Sequence, residues 1–123
     1  MNFKIVLKNL LTRFEKKNVE FVLCGGMALS TMGITRLTKD IDFLVDIKDK
    51  KVVDDIMTEL SYERQDFSTD EIVSYFSPLK VFGQVDFLMA QRKYTREMMQ
   101  RARKVQLFDN TMVVKVLLPD DLI

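Results

Sequence analysis

The sequence predicts an α+β (α/β) domain, a mixed β-sheet with helices packed on it. Three observations lead there. Apolar residues recur with a helical period from Phe3 to Phe14. Two later segments, Asp40 to Asp46 and Val81 to Met89, alternate apolar and polar residues with the period of a strand. Helical and strand-like segments then interleave as α-β-α-β-α before a run of further strands.

Each element has a local reason. Phe3, Val6, Leu7, Leu10, Leu11 and Phe14 sit at i, i+3, i+4 and i+7 spacings, which makes one apolar helix face. Lys16 and Lys17 suit its C-terminal end, where the helix dipole favours cations, whereas Glu15 does not. Glu20 to Cys24 reads as a short strand. Gly25-Gly26 turns it into a second helix, Met27 to about Met32, that stops at Gly33. Asp40 to Asp46 is a strand, and Asp46 is placed to cap a helix from about Lys48 to Leu60. Tyr62 to Asp66 and Ile72 to Phe76 read as strands around a polar link. In the strand Val81 to Met89, Gln84, Asp86 and Leu88 share one face; Val85, Phe87 and Met89 share the other. Thr95 to Arg103 is helical or irregular. Val105 to Phe108 and Met112 to Leu117 read as a hairpin about Asp109-Asn110. Pro119 to Ile123 resembles the first turn of a further helix.

The 123 residues fit one domain with a sizeable core, and 47% apolar content with mixed charge excludes a disordered chain. A formal net charge of +1 gives no global drive toward nucleic acid. No apolar run approaches the roughly 20 residues that span a bilayer, so no membrane partner is expected. The start lacks a small-residue cleavage site and reads as a helix, not a signal peptide. The single cysteine, Cys24, reads as a small buried hydrophobe. One cysteine and no intrachain disulfide point to a cytoplasmic protein. There is no histidine. That excludes Ser-His-Asp and Cys-His catalysis, and it makes zinc a poor fit. A bound metal would be held by oxygen, which favours Mg²⁺ or Mn²⁺.

The segment from Val22 to Asp46, VLCGGMALSTMGITRLTKDIDFLVD, carries the chemistry. Asp40 and Asp42 are spaced i, i+2, so on a strand they share a face with Cβ atoms ~6–7 Å apart at about 3.3 Å rise per residue. Such a strand is either a metal platform or a solvated edge. The upstream Gly25-Gly26 favours the platform, because backbone N–H groups without a Cβ in the way, at a helix N-terminus, form a site for a triphosphate. Asp86 adds a third carboxylate from a strand of similar character, and three such acids can bridge two metal ions. The bland alternatives are a tight turn for the glycines and surface acids for the aspartates. Ser30, one turn into the glycine helix, reaches either a phosphate or the carbonyl of the preceding turn. Arg36 binds phosphate through its fork or braces the loop through a carboxylate.

Gly-Gly, then Arg36-x-Thr38-x-Asp40-Ile41-Asp42, then a later strand Asp86 resembles the nucleotidyltransferase superfamily with the polymerase-β-like catalytic core. The segments CGGMALSTMG, ITRLTKDIDFLVD and QVDFLMA are similar to those of small AbiEii-type toxin nucleotidyltransferases. The resemblance spans Phe21 to Ala90. It implies the nucleotidyltransferase-like fold for a single domain, 1–123, and nucleotide binding by Gly25, Gly26, Ser30, Arg36 and Thr38. It also implies Asp40, Asp42 and Asp86 as catalytic metal ligands for Mg²⁺ or Mn²⁺. The implied reaction is transfer of a nucleoside monophosphate from an NTP to a hydroxyl of RNA, protein or a small molecule, with pyrophosphate leaving. Toxin-like members normally continue into a helical part with functional Lys and Asp residues, and this chain is expected to lack that extension.

Two other readings stand beside the enzyme. One is a non-catalytic nucleotide-binding or regulatory module, and the other a toxin component that needs a partner chain. Arg92, Lys93, Arg96, Arg101, Arg103 and Lys104 crowd a short stretch and read first as a solvated helix face, second as a seat for RNA or an NTP. The apolar run Val113, Val114, Val116, Leu117 and Leu118 predicts a strand covered on both faces. An exposed patch at Leu117, Leu118 and Leu122, or a homodimer that buries it, is the expectation.

Overall fold

A computed structural model describes residues 2–25, 40–66, 68–69, 71–108, 111–118 and 121. The first helix, α1 (Phe3–Lys16), starts where the Asn2 side chain accepts a hydrogen bond from the Ile5 N–H. Its buried face is Val6, Leu7, Leu10, Leu11 and Phe14, as the period dictates. The second, α2 (Lys50–Glu59), buries Val53, Ile56 and Met57. It follows a short 3₁₀ turn (Ile47–Asp49) that the Asp46 side chain caps by accepting from the Lys48 N–H. The third, α3 (Lys93–Arg101), buries Met99.

Seven strands form one mixed sheet. They are β1 (Phe21–Cys24), β2 (Asp40–Asp46), β3 (Glu63–Arg64), β4 (Ile72–Phe76), β5 (Gln84–Ala90), β6 (Arg103–Leu107) and β7 (Met112–Val116). Their order across the sheet is β3-β4-β5-β2-β1-β7-β6. The acid-bearing β2 is therefore the central strand, paired parallel with β5 and antiparallel with β1. Placement at the centre excludes the solvated-edge reading of its carboxylates. The expected strand from Val81 begins later, at Gln84. Residues 79–83 are used in a turn, where the Phe82 N–H bonds the Leu79 carbonyl and Gly83 adopts φ +55. The expected Tyr62 to Asp66 strand shortens to two paired residues on β4. The last two strands pair antiparallel as the hairpin reading requires, while its Asp109-Asn110 turn lies outside the described residues.

The two sheet faces differ. On one, Ile41, Phe43, Val45, Val85 and Phe87 join the buried faces of α1 and α2 in the main core. The Phe43 and Phe87 rings stack at 5.6 Å, and Phe14 meets both edge-on. Tyr75 on β4 donates from its hydroxyl to Asp54 of α2 at 2.8 Å, which ties the sheet to that helix. On the other face, Val22, Cys24, Leu44, Ala90 and Leu117 pack with Met99 of α3 in a smaller cluster. This helix covers only part of that face, and the carboxylates occupy another part.

Of the apolar patch expected at Leu117, Leu118 and Leu122, Leu117 is buried and Leu118 half-buried. Val114 and Val116 point into the main core, and Leu117, 4% exposed, turns to the opposite cluster with Met99. The run of apolar neighbours thus serves two cores within one chain. Val113 on the same strand is 51% exposed, so coverage of both faces is confined to the strand's end. Leu122 lies outside the described residues. Among the described residues no helix is long and apolar enough to cross a membrane.

Candidate active site

The strand period and the register between β2 and β5 assemble the site. Asp40 and Asp42 project from the β2 face opposite Ile41 and Phe43, and both are half-buried. In the parallel pairing Asp42 stands directly across from Asp86, and Asp40 across from Gln84. The row continues outward to Cys24 on β1 and to Ser74 on β4. One carboxylate oxygen from each of Asp40, Asp42 and Asp86 can be chosen so that all lie within 4.8 Å of one another. The three predicted metal-ligating residues are thus brought to one place.

Like charges at this spacing repel. The Asp40 carboxyl is held above the usual carboxylate range, first by burial, then by the charge of Asp86 and a hydrogen bond with it. The buried Cys24 thiol is pushed up by burial, with the negative charges of Asp42 and Asp86 adding to it. Cys24 is therefore a packed, protonated thiol, as expected of a small core residue. Three hard oxygen donors converging on one point are chemically suited to a divalent cation such as Mg²⁺ or Mn²⁺.

Gly25 has a structural reason beyond a turn. It adopts φ +68, a conformation that strains any side chain. A Cβ placed there would overlap Asp42 Oδ2 and lie 2.9 Å from Asp42 Cγ. The backbone at Gly25 therefore lies against the carboxylate of Asp42. The other residues expected to bind nucleotide (Gly26, Ser30, Arg36 and Thr38) lie outside the described residues, as does the helix from Met27 to Met32.

One contact was not signalled by composition or motif. Gln84 Nε2 donates to Asp86 Oδ1 at 2.9 Å in a part-buried position. The strand period places Gln84 on the Asp86 face, but only the register identifies what surrounds it.

A family profile described as "Nucleotidyl transferase AbiEii toxin, Type IV TA system" matches residues 9–111. This chain belongs to the AbiEii nucleotidyltransferase toxin family. Among curated proteins no sequence match was found. Solved structures share the fold of this AbiEii-family chain. The lincomycin-bound lincosamide antibiotic adenylyltransferase LnuA superposes with a TM-score of 0.74 at 12% identity, over 95% of this chain and 81% of its own. A candidate nucleotidyltransferase from Thermotoga maritima gives 0.72 at 16% identity, over 98% and 80%. A CCA-adding enzyme in complex with ATP gives 0.56 at 20% identity, over 99% of this chain and 29% of its own. The expected fold and family both stand.

Among the described residues of this AbiEii-family protein a cleft of about 850 Å³ reaches one carboxylate of the cluster, Asp42, and is lined also by Gly25, Leu44, Leu88, Arg92 and Tyr94. The position of α3 is fixed in part by Asp46. Its carboxylate accepts from the Lys48 N–H at 3.0 Å and from Arg96 Nε at 3.1 Å. Arg101 likewise pairs with Asp121, and Lys93 lies 4.0 Å from Glu97. Three members of the basic stretch thus have acidic partners, which agrees with a solvated, internally balanced face.

Burial raises the Asp46 carboxyl, but the Lys48 N–H and Arg96 outweigh it and hold the group below its ordinary value of 3.8. A depressed folded value stabilises above the unfolded value and is lost as pH falls through and below it. Asp46→Ala is expected to cost about 1 kcal/mol, chiefly through the lost cap. Thermal unfolding above pH 5 should show that difference between the two proteins. The gap should shrink as the pH is lowered below 4, and a gap independent of pH would contradict the assignment.

Proposed function

We propose that this chain is a metal-dependent nucleotidyltransferase that moves a nucleoside monophosphate from an NTP to a hydroxyl acceptor. The observation that carries this reading is the approach of the Asp40, Asp42 and Asp86 carboxylates to within 4.8 Å, in a member of a nucleotidyltransferase family. Asp40, Asp42 and Asp86 would hold Mg²⁺ or Mn²⁺. Such an ion, when bound, offsets negative charge on the transferring phosphoryl group and lowers the pKa of an attacking hydroxyl.

The chain's own residues position the reactants. Gly25, with no side chain, keeps the backbone close to Asp42 and leaves that edge of the site open. Gly26, Ser30, Arg36 and Thr38 are proposed to receive the phosphates. In the step itself the acceptor oxygen forms a bond to the α-phosphorus. The bond from that phosphorus to the bridging oxygen breaks, and pyrophosphate leaves with the electron pair. The hydroxyl proton passes to a carboxylate oxygen of the cluster. Proximity and fixed charge supply most of the acceleration in chemistry of this kind.

The family description includes toxin action within a toxin–antitoxin system, and we carry that to this chain as a proposal, with an antitoxin as partner and the cytoplasm as compartment. A single domain over 1–123 is proposed on the same basis. The acceptor is RNA, a protein or a small molecule bearing a hydroxyl. The test offers α-labelled NTPs with total RNA, with the protein itself and with hydroxylated small molecules. Label is expected in one acceptor class with Mg²⁺ present and absent after chelation. No transfer from any of the four NTPs to any class would favour a nucleotide-binding module without catalysis.

A further inference from the structure

We infer that Gln84 is a positioning residue for the metal site: its side-chain amide holds the Asp86 carboxylate in the orientation from which it joins Asp40 and Asp42. The inference rests on the proposed reading of the three aspartates as metal ligands.

The geometry carries the argument. Gln84 and Asp86 are i and i+2 on β5, so both project onto the carboxylate face. The register places Gln84 directly across from Asp40, and Asp86 directly across from Asp42. Asp86 therefore faces one carboxylate across the sheet and a second on the diagonal. Repulsion among the carboxylates opposes that arrangement, and Gln84 Nε2 restrains it by donating to Asp86 Oδ1 at 2.9 Å, beside the hydrogen bond that Asp86 makes with Asp40. A hydrogen bond to an ionised acceptor is strong, and in a part-buried position water competes for it poorly.

The residue type fits that role. An amide donates to a carboxylate without adding charge. A lysine here would place a fixed positive charge beside the cation position. A glutamate would add a fourth negative charge and no donor. On the other side of Asp86 the neighbour across β4 is Ser74, whose residue is 2% exposed. Asp86 is thus confined laterally by the sheet and along its strand by Gln84. Residues that orient metal ligands in this way typically change affinity by about 10–100-fold when altered.

The experiment titrates Mn²⁺ into the protein and follows the free ion by electron paramagnetic resonance. The proteins compared are the native chain, Gln84→Met and Asp86→Asn. Methionine has a similar reach and no donor. Gln84→Met is expected to bind Mn²⁺ about tenfold more weakly, with its thermal midpoint unchanged. Its transfer rate should recover as the metal concentration rises, with an unchanged KM for the NTP at saturating metal. Asp86→Asn should lose binding and not recover. Native Mn²⁺ affinity in Gln84→Met beside a weakened Asp86→Asn overturns the inference. Native affinity in Asp86→Asn overturns the metal-site reading itself, so the two failures are distinguishable. If Gln84→Met does not fold, Gln84→Thr, which suits a strand and is too short to reach Asp86, is expected to give the same weakening.

Discussion

Replacing Asp42 with asparagine is expected to lower nucleotide transfer by on the order of 10²-fold or more while leaving the fold intact. Asp42 lies on the central strand, directly across from Asp86 on one side and Cys24 on the other. The substitution is nearly isosteric, so the packing around it should survive. What it removes is one of three negative charges at the point where the carboxylates meet, together with a ligand of higher basicity than an amide. The expected result is a thermal midpoint near the native one beside a rate near background, measured as transfer of α-label. Relief of repulsion within the acidic cluster should, if anything, raise the midpoint. An Asp42→Asn protein that transfers label at the native rate would remove metal-assisted transfer at this site from consideration.

Gly25→Ala is expected to be nearly as damaging, for two separable reasons. The conformation at φ +68 costs a residue with a Cβ roughly 1–2 kcal/mol. The added methyl group would also overlap the Asp42 carboxylate, which must then move. The first effect lowers stability and would be the same wherever a turn needed this conformation. The second acts on the site. The measurement is the transfer rate per folded molecule, with the folded fraction taken from the thermal transition. A rate per folded molecule lowered by about 10-fold or more indicates a displaced Asp42. A lower midpoint with an unchanged rate per folded molecule would mean that Gly25 serves only as a turn.

These two residues show what was legible in the chain and what was not. The strand from Asp40 to Asp46 was readable to its ends, because its alternation and its capping aspartate are local signals. The face shared by Asp40 and Asp42 follows from the same period. That the third acid is Asp86 follows from its strand character. That it stands across from Asp42, and not some other β5 residue, is a property of register, set by contacts far apart in sequence. Gln84 was visible on the face of its partner Asp86, two residues along the same strand, and only the register brings the pair beside Asp40 and Asp42. Gly25 was legible as a glycine needed at a turn, whereas its contact with Asp42 depends on how β1 pairs with β2. Leu117 shows the same limit. Its place in an apolar run predicted coverage of a second face, but the coverage comes from Met99, on a helix whose packing no local pattern gives.

The most direct test of the central claim is a crystal structure of the chain with Mn²⁺, with anomalous scattering used to place the ion. The account predicts an anomalous peak between β2 and β5, within about 2.0–2.4 Å of carboxylate oxygens of Asp40, Asp42 and Asp86, as expected for a hard divalent cation. An ion found elsewhere, or no ion at a concentration that supports label transfer, would contradict it.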